Sequence, residues 1–538
     1  MGYGLPHGYH PDEGIIVHRA VRFHAGDLDP RFFNWPSLFM YLLSGLYGLV
    51  FGFGEAREAY IQDPVPFYLL GRMVTATFGT ATIAVLYVLA AEAYGVATAL
   101  LASLFLAVNL LHIRDSHYVT TDVPLTFLVT LALLFVLRYG RQGRGRDALG
   151  SGLFAGLAAS MKYPGGLALL PFFAAHLLRA RPGPSPGWRR LVGRGPVLAL
   201  LAAAAGFVVG TPYAVLTPGA FWRGVMSEVR EVGSVQFGNE GALPGYLFHL
   251  VHSLPVAMGL PLLGLALGGL GLVLWRRAPG DLILLAFPLP YFLVIGSWSS
   301  RFERYALPLL PFLALWAALA LVVLAGRLRG RWPAPLGRWR PGLGLALAAG
   351  LLVAPELARI TYFHVLLTRP DTRVLAGEWI ERHIPPGSRI AMEPYSPAVR
   401  LDPAMVREAR DRLGEGAAAS VLRGRFDRFL ARAEAEAATG YRIFRLNDYD
   451  LDRLLEQEVE YVVLSGFVYQ RYQQACDRFP APCRFYGELE RRATPLIAIE
   501  PGVGGRVLWV GDIYSPLTRL FERARPGPAI KIYRLPQG

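Results

Sequence analysis

Charge is scarce in this sequence. Charged residues make up 17% and hydrophobic residues 53%, whereas soluble globular chains carry about 25% charged residues. That balance speaks against an ordinary cytosolic enzyme and excludes a disordered or collagen-like chain. Cysteine is nearly absent too. Cys476 and Cys483 are the only two, which excludes a disulfide-dense scaffold and a cysteine metal cluster. Lysine occurs only at Lys162 and Lys531. No GxGxxG or Walker pattern stands in a strand-to-helix context, so no nucleotide site is legible.

What the sequence has instead is long apolar runs. Several uncharged stretches approach the roughly 20 residues that an α-helix needs to cross a bilayer. The 538 residues also exceed the usual size of one domain. The net charge of +14 would suggest nucleic acid in a soluble protein. Here the arginines cluster in short loops at 138–146, 179–194, 276–277 and 327–340, which is a topology signal and implies no nucleic acid. Placing those loops on the cytoplasmic side predicts spans near 65–91, 93–111, 119–137, 195–216, 256–275, 281–297, 305–326 and 341–356. With a shorter helical pair at 149–161 and 163–178, the total is about ten crossing helices. The outward connections are then 55–64, 112–118, the turn around Lys162, 217–250 and 297–304.

Residues 33–54 are long and apolar enough to span. Parity would then set residues 1–32 opposite the connection that carries Asp122, so the segment reads as interfacial or re-entrant, a setting that suits Trp35, Tyr41 and Tyr47. An external position for residues 1–32 predicts a further transmembrane helix ahead of residue 1 in the natural gene product. From residue 357 onward charge becomes frequent. A helix over 373–383, strands at 389–392, 461–464 and 529–533, and a helix over 451–458 predict an extracytoplasmic α/β domain spanning 357–538. In an oxidising compartment Cys476 and Cys483 can form a disulfide; the alternative is two unpaired thiols.

Ionisable groups beside membrane spans are costly and need a reason. His10-Pro11-Asp12-Glu13 offers two adjacent carboxylates, one of which can act as a general base toward a hydroxyl; the alternative is a solvated loop of capping acids. A second cluster, His112 to His117 followed by Thr121-Asp122-Val123-Pro124, lies on the same predicted face, although Asp122 also suits a simple helix cap. His10, Asp12, His112, His117 and Asp122 are candidate ligands for a divalent metal, without a tight metal spacing; Asp12, His117 and Asp122 form the core of that set. Arg72, Lys162, Arg301 and Arg304 are candidate phosphate contacts. For Arg301 and Arg304 the alternative is a local ion pair with Glu303, and for Arg72 a buried structural pair. Carboxylates and cations converging on one face suit a reaction in which an acceptor loses a proton while an anionic phosphate departs.

These residues resemble membrane glycosyltransferases of the GT-C fold, in particular glycosyltransferase family 39 with its protein O-mannosyltransferases, and the related lipid A aminoarabinose transferases. The resemblance covers residues 8–325. It rests on Asp12-Glu13, Trp35-Pro36-Ser37-Leu38, Gly71-Arg72, Thr121 to Leu125, Met161-Lys162-Tyr163, and Arg304 to Pro308 with Pro311. It implies transfer of a sugar from a polyprenyl-phosphate donor to an unknown acceptor hydroxyl or amine, at the outer face of the plasma membrane and among its lipids. Asp12 would be the catalytic base, with Glu13 and Asp122 as its acidic partners. His10, Arg72, His117, Lys162, Tyr163, Arg301 and Arg304 would contact substrate. The basic residue that often precedes the Pro-Pro-Leu stretch of the family is replaced here by Asn34 or Trp35. The alternatives are a transporter or lipid flippase, whose sites lie nearer the bilayer midplane in repeated folds, and an assembly scaffold acting through its external domain.

Overall fold

The computed structural model describes residues 1–179, 193–235, 237, 243–328, 340–413, 417–435, 439–502 and 510–536. The chain is a multi-pass helical membrane protein with a small C-terminal α/β domain. Among the described residues six helices are long and apolar enough to cross a bilayer: Val65–Tyr94, Asp122–Gln142, Gly245–Arg276, Pro279–Gly296, Glu303–Arg327 and a segment starting at Gly342. The bent pair Leu38–Phe51 and Ala56–Gln62 would make a seventh if it is one span, and other segments of the expected ten form shorter helices. The 93–111 run divides into Val96–Ala107 and Leu110–Asp115, and a 12-residue helix rises only about 18 Å against a hydrocarbon core of about 30 Å. Gly145–Met161, Leu170–Arg179 and Arg194–Gly210 are also short. Most of the basic loops 179–194 and 327–340 lies outside the described residues.

Residues 38–51 form a 14-residue helix, followed after a break by Ala56–Gln62 at an angle of 86°. That broken geometry is what a re-entrant or interrupted segment looks like. The final apolar helix runs Arg340–Thr368, past residue 356, so the change in composition at 357 falls within a continuous helix.

Close backbone packing fixes the helical layer around the later site. A Cβ added at Gly152 would lie 2.0 Å from the carbonyl oxygen of Ala199, and one at Gly156 would lie 2.0 Å from that of Ala203. The spacing of these glycines lets the Gly145–Met161 helix press directly on Arg194–Gly210. The contact sets the position of Lys162, which ends the former helix in an extended conformation with φ −157°.

The C-terminal sheet has strands β1 (Arg389–Met392), β2 (Arg442–Arg445), β3 (Tyr461–Ser465), β4 (Thr494–Ile499) and β5 (Ile530–Arg534), ordered β2-β1-β3-β5-β4. β1 runs parallel to β2 and β3, while β5 is antiparallel to β3 and β4. β3 is buried on both faces, as a central parallel strand should be. Cys476 and Cys483 form a disulfide. The N-terminal loop ties this domain to the helices: the Tyr3 hydroxyl donates to Asp371 at 2.8 Å, and the Arg373 guanidinium sits 3.5 Å over the Tyr9 ring. Tyr362 also donates to the Arg523 carbonyl at 2.6 Å.

Glu393 follows β1 and is buried among apolar side chains. It accepts hydrogen bonds from the Tyr486 hydroxyl at 2.5 Å and the Ser465 backbone N–H at 2.7 Å. Burial outweighs these bonds and pushes its carboxyl up to about 8. Because the folded value lies above the unfolded one, its stabilising effect is complete at acidic pH and is lost as pH rises through about 8. Thermal unfolding followed by tyrosine fluorescence should therefore show falling stability from about pH 5 to pH 8, with a shallower slope in Glu393→Gln; equal slopes would contradict the assignment.

Candidate functional site

Four segments far apart in sequence bring charge to one cavity. Asp12 immediately precedes the Glu13–Arg22 helix, Asp122 opens Asp122–Gln142, Lys162 ends Gly145–Met161, and Arg304 lies in the 3-10 turn Glu303–Leu309. A polar pocket is lined by Asp12, Trp35, Asp122, Lys162, Glu228 and Arg304. It continues into a larger cavity of about 540 Å³ that shares Asp12, Trp35, Glu228, Arg304 and Tyr305.

Within it the charges pair. The Lys162 ammonium is 2.6 Å from Asp122 Oδ1 and 4.8 Å over the Tyr305 ring. Arg304 donates to Asp12 across a separation of 292 residues, and its guanidinium lies 4.5 Å from the centre of the Tyr514 ring. Tyr514 belongs to the C-terminal domain. All four charged side chains are mostly buried, from 3% exposed for Asp122 to 14% for Asp12. In so dry a place the cations attract an incoming anion more strongly than they would in water. A phosphate entering here would share the two cations with Asp12 and Asp122.

The other candidate residues take different places. Glu13 and Arg72 engage each other, at 2.7 and 2.6 Å, and both side chains are buried. Glu13 Oε1 also accepts the Val119 N–H at 2.9 Å. They line neither cavity, so the alternative of a buried structural pair for Arg72 is realised, and the pair holds Asp12 from the adjacent position. His10 stacks between Tyr118 and Tyr514, with ring centres 4.6 and 4.9 Å away. Burial and then the neighbouring Arg304 keep its imidazole well below the usual histidine range, hence neutral. Tyr163 donates to the Phe33 carbonyl at 2.5 Å, pinning the segment that presents Trp35. Arg301 lines neither cavity. Glu303 pairs with His252 at 2.9 Å, and Arg304 pairs with Asp12, so the alternative of a local Glu303–Arg304 ion pair is not what the structure shows.

The candidate metal ligands take separate places. The His117 Nδ1 bonds to the Ile113 carbonyl at 2.7 Å and its ring packs 5.2 Å from that of His364. Asp12 and Asp122 are each held by a cation. Among the described residues no three metal-ligating side chains assemble.

Glu228 is the site residue that sequence reasoning missed. It sits on the Pro218–Gly233 helix, within the 217–250 connection, and burial raises its carboxyl to about 7 despite Lys162 and Arg304 nearby. The available signal was a surface helix carrying Glu228 and Glu231 three residues apart in a chain that seldom uses acids.

A family model described as dolichyl-phosphate-mannose-protein mannosyltransferase matches residues 69–213. Solved GT-C structures are similar over most of the chain at low identity. ArnT from Cupriavidus metallidurans, solved bound to undecaprenyl phosphate, is 15% identical, with 97% of this chain and 93% of that one covered and a TM-score of 0.46. The Archaeoglobus fulgidus oligosaccharyltransferase, tethered with an acceptor peptide, is 14% identical, with 90% and 68% covered and a TM-score of 0.47. The mycobacterial arabinofuranosyltransferase AftD is 15% identical, with 95% and 36% covered and a TM-score of 0.37. No curated protein matches by sequence.

Arg72→Ala should cost roughly 3–5 kcal/mol, because it strands the buried Glu13 carboxylate. Replacing both residues by apolar ones of similar size should recover most of that loss. Thermal unfolding in detergent checks this, and an Arg72→Ala protein as stable as the parent would contradict it.

Proposed function

We propose that this protein transfers a sugar from a polyprenyl phosphate to an acceptor hydroxyl or amine at the outer face of the plasma membrane. The single observation behind this reading is the shared cavity in which Asp12, Asp122, Lys162 and Arg304 meet. The family match over residues 69–213, whose description names a dolichyl-phosphate sugar donor, supports the lipid-linked carrier.

The lipid phosphate would lie against Lys162 and Arg304. The acceptor oxygen or nitrogen bonds to the anomeric carbon as the bond from that carbon to the phosphate oxygen breaks. The electron pair leaves on the phosphate, where the two cations stabilise the added charge. The proton released by the acceptor passes to Asp12. Asp122 acts through Lys162 as a positioning residue, and the Glu13–Arg72 pair does the same for Asp12. Trp35, Tyr305 and Tyr514 narrow the pocket and limit water around the developing charge.

Asp12→Asn should lower transfer of a radiolabelled sugar by roughly 10²- to 10⁴-fold, while binding of undecaprenyl phosphate changes little. Lys162→Ala should weaken undecaprenyl phosphate binding by about 1.5–3 kcal/mol, the usual worth of a hydrogen bond to a charged group. Full transfer by Asp12→Asn would remove that residue from the mechanism. Translocation of a lipid substrate without any transfer would replace this reading with a flippase.

A further inference from the structure

The larger cavity has a second wall, built by the C-terminal domain. The chain leaves β1 at Met392, and Pro394 and Tyr395 line the cavity; β2 ends at Arg445, and Asn447 and Tyr449 line it as well. Beyond β3, Arg471 and Tyr472 line it from the Gly466–Gln473 helix. The domain therefore turns the carboxyl ends of its three parallel strands toward Asp12 and Arg304. In the order β2-β1-β3-β5-β4 the connection after β1 goes to one side, to β2, and that after β3 to the other, to β4; the crevice outside the carboxyl ends at such a reversal is where open α/β sheets bind ligands.

Backbone strain marks the same place. Tyr395 has φ 63° and Tyr449 has φ 49°. Bulky side chains seldom hold that left-handed conformation, and where they do the surrounding structure enforces it, often around a ligand. Both tyrosines face the cavity of about 540 Å³, within the roughly 300–1,000 Å³ of small-molecule sites.

We propose that this crevice is the acceptor subsite and that the acceptor is a saccharide. The proposal rests on the transfer reading above and names the substrate class of that site. Tyr395, Tyr449 and Tyr472 offer amphipathic rings suited to the C–H faces of sugar rings. Arg445, Asn447 and Glu231 supply the mixed donors and acceptors that a ring of hydroxyls requires. A lipid tail would meet charge along this wall. A peptide strand would look for an open sheet edge to extend, and the cavity meets strand ends instead.

The test is saturation-transfer NMR on the full-length protein in nanodiscs, with malto-, cello-, chito- and manno-oligosaccharides and an unrelated peptide as probes. At least one oligosaccharide should bind, and the double variant Arg445→Gln/Asn447→Ala should weaken it by about tenfold or more. Both side chains are exposed, so the fold should tolerate the change. The same double variant should leave undecaprenyl phosphate binding unchanged, which separates failure of the donor reading from failure of this one. Binding of the peptide alone, binding of none of the probes, or saccharide binding indifferent to the double variant would overturn the proposal.

Discussion

A charge taken out of water must meet an opposite charge, and that requirement organises this protein. Arg304 reaches Asp12 across 292 residues of sequence, and Lys162 reaches Asp122 across 40. Each bond joins the end of one helical segment to the end of another, so the apolar packing of the helices and the electrostatics of the cavity determine each other. Removing either partner would leave a charge stranded in a dry place, which is far more costly than losing a surface ion pair.

A second tier of pairs supports the first. Glu13–Arg72, Arg114–Asp115 and His252–Glu303 are almost wholly withdrawn from solvent and lie in sequence beside residues of the cavity or of the turn that carries Arg304. They turn chain connectivity into positional precision: Glu13 fixes where Asp12 sits, and Glu303 fixes the turn presenting Arg304. The C-terminal domain closes the other side. Tyr514 lies against the Arg304 guanidinium, and the carboxyl ends of β1 and β2 border the same space, so membrane half and α/β half share one cavity.

The cost of burying charge made much of the site legible. Asp12, Asp122, Lys162 and Arg304 stood out because ionisable groups are rare in so apolar a chain, and these four meet. Strands 389–392, 461–464 and 529–533 followed from short apolar runs and lie within a residue of the observed β1, β3 and β5. β2 and β4 escaped because both are edge strands with half-exposed residues; β2 is flanked by arginines and β4 contains Pro495. Partner choice was the least legible feature. Nothing in local sequence distinguishes Arg72, which is used up by Glu13, from Arg304, which faces the cavity. Likewise no spacing tells that His117 turns toward His364, since that contact comes from a helix more than two hundred residues later. Glu228 was hidden for the opposite reason: on an amphipathic surface helix an acid looks solvated until the fold half-covers it.

The central claim is that one cavity holds the donor phosphate between Lys162 and Arg304, beside Asp12. The most direct measurement is an experimental structure of the protein with undecaprenyl phosphate in nanodiscs. The account predicts phosphate density within hydrogen-bonding distance of both cations, the lipid tail running out between the helices. Phosphate density elsewhere, with the Lys162–Asp122 and Arg304–Asp12 pairs undisturbed, would contradict it.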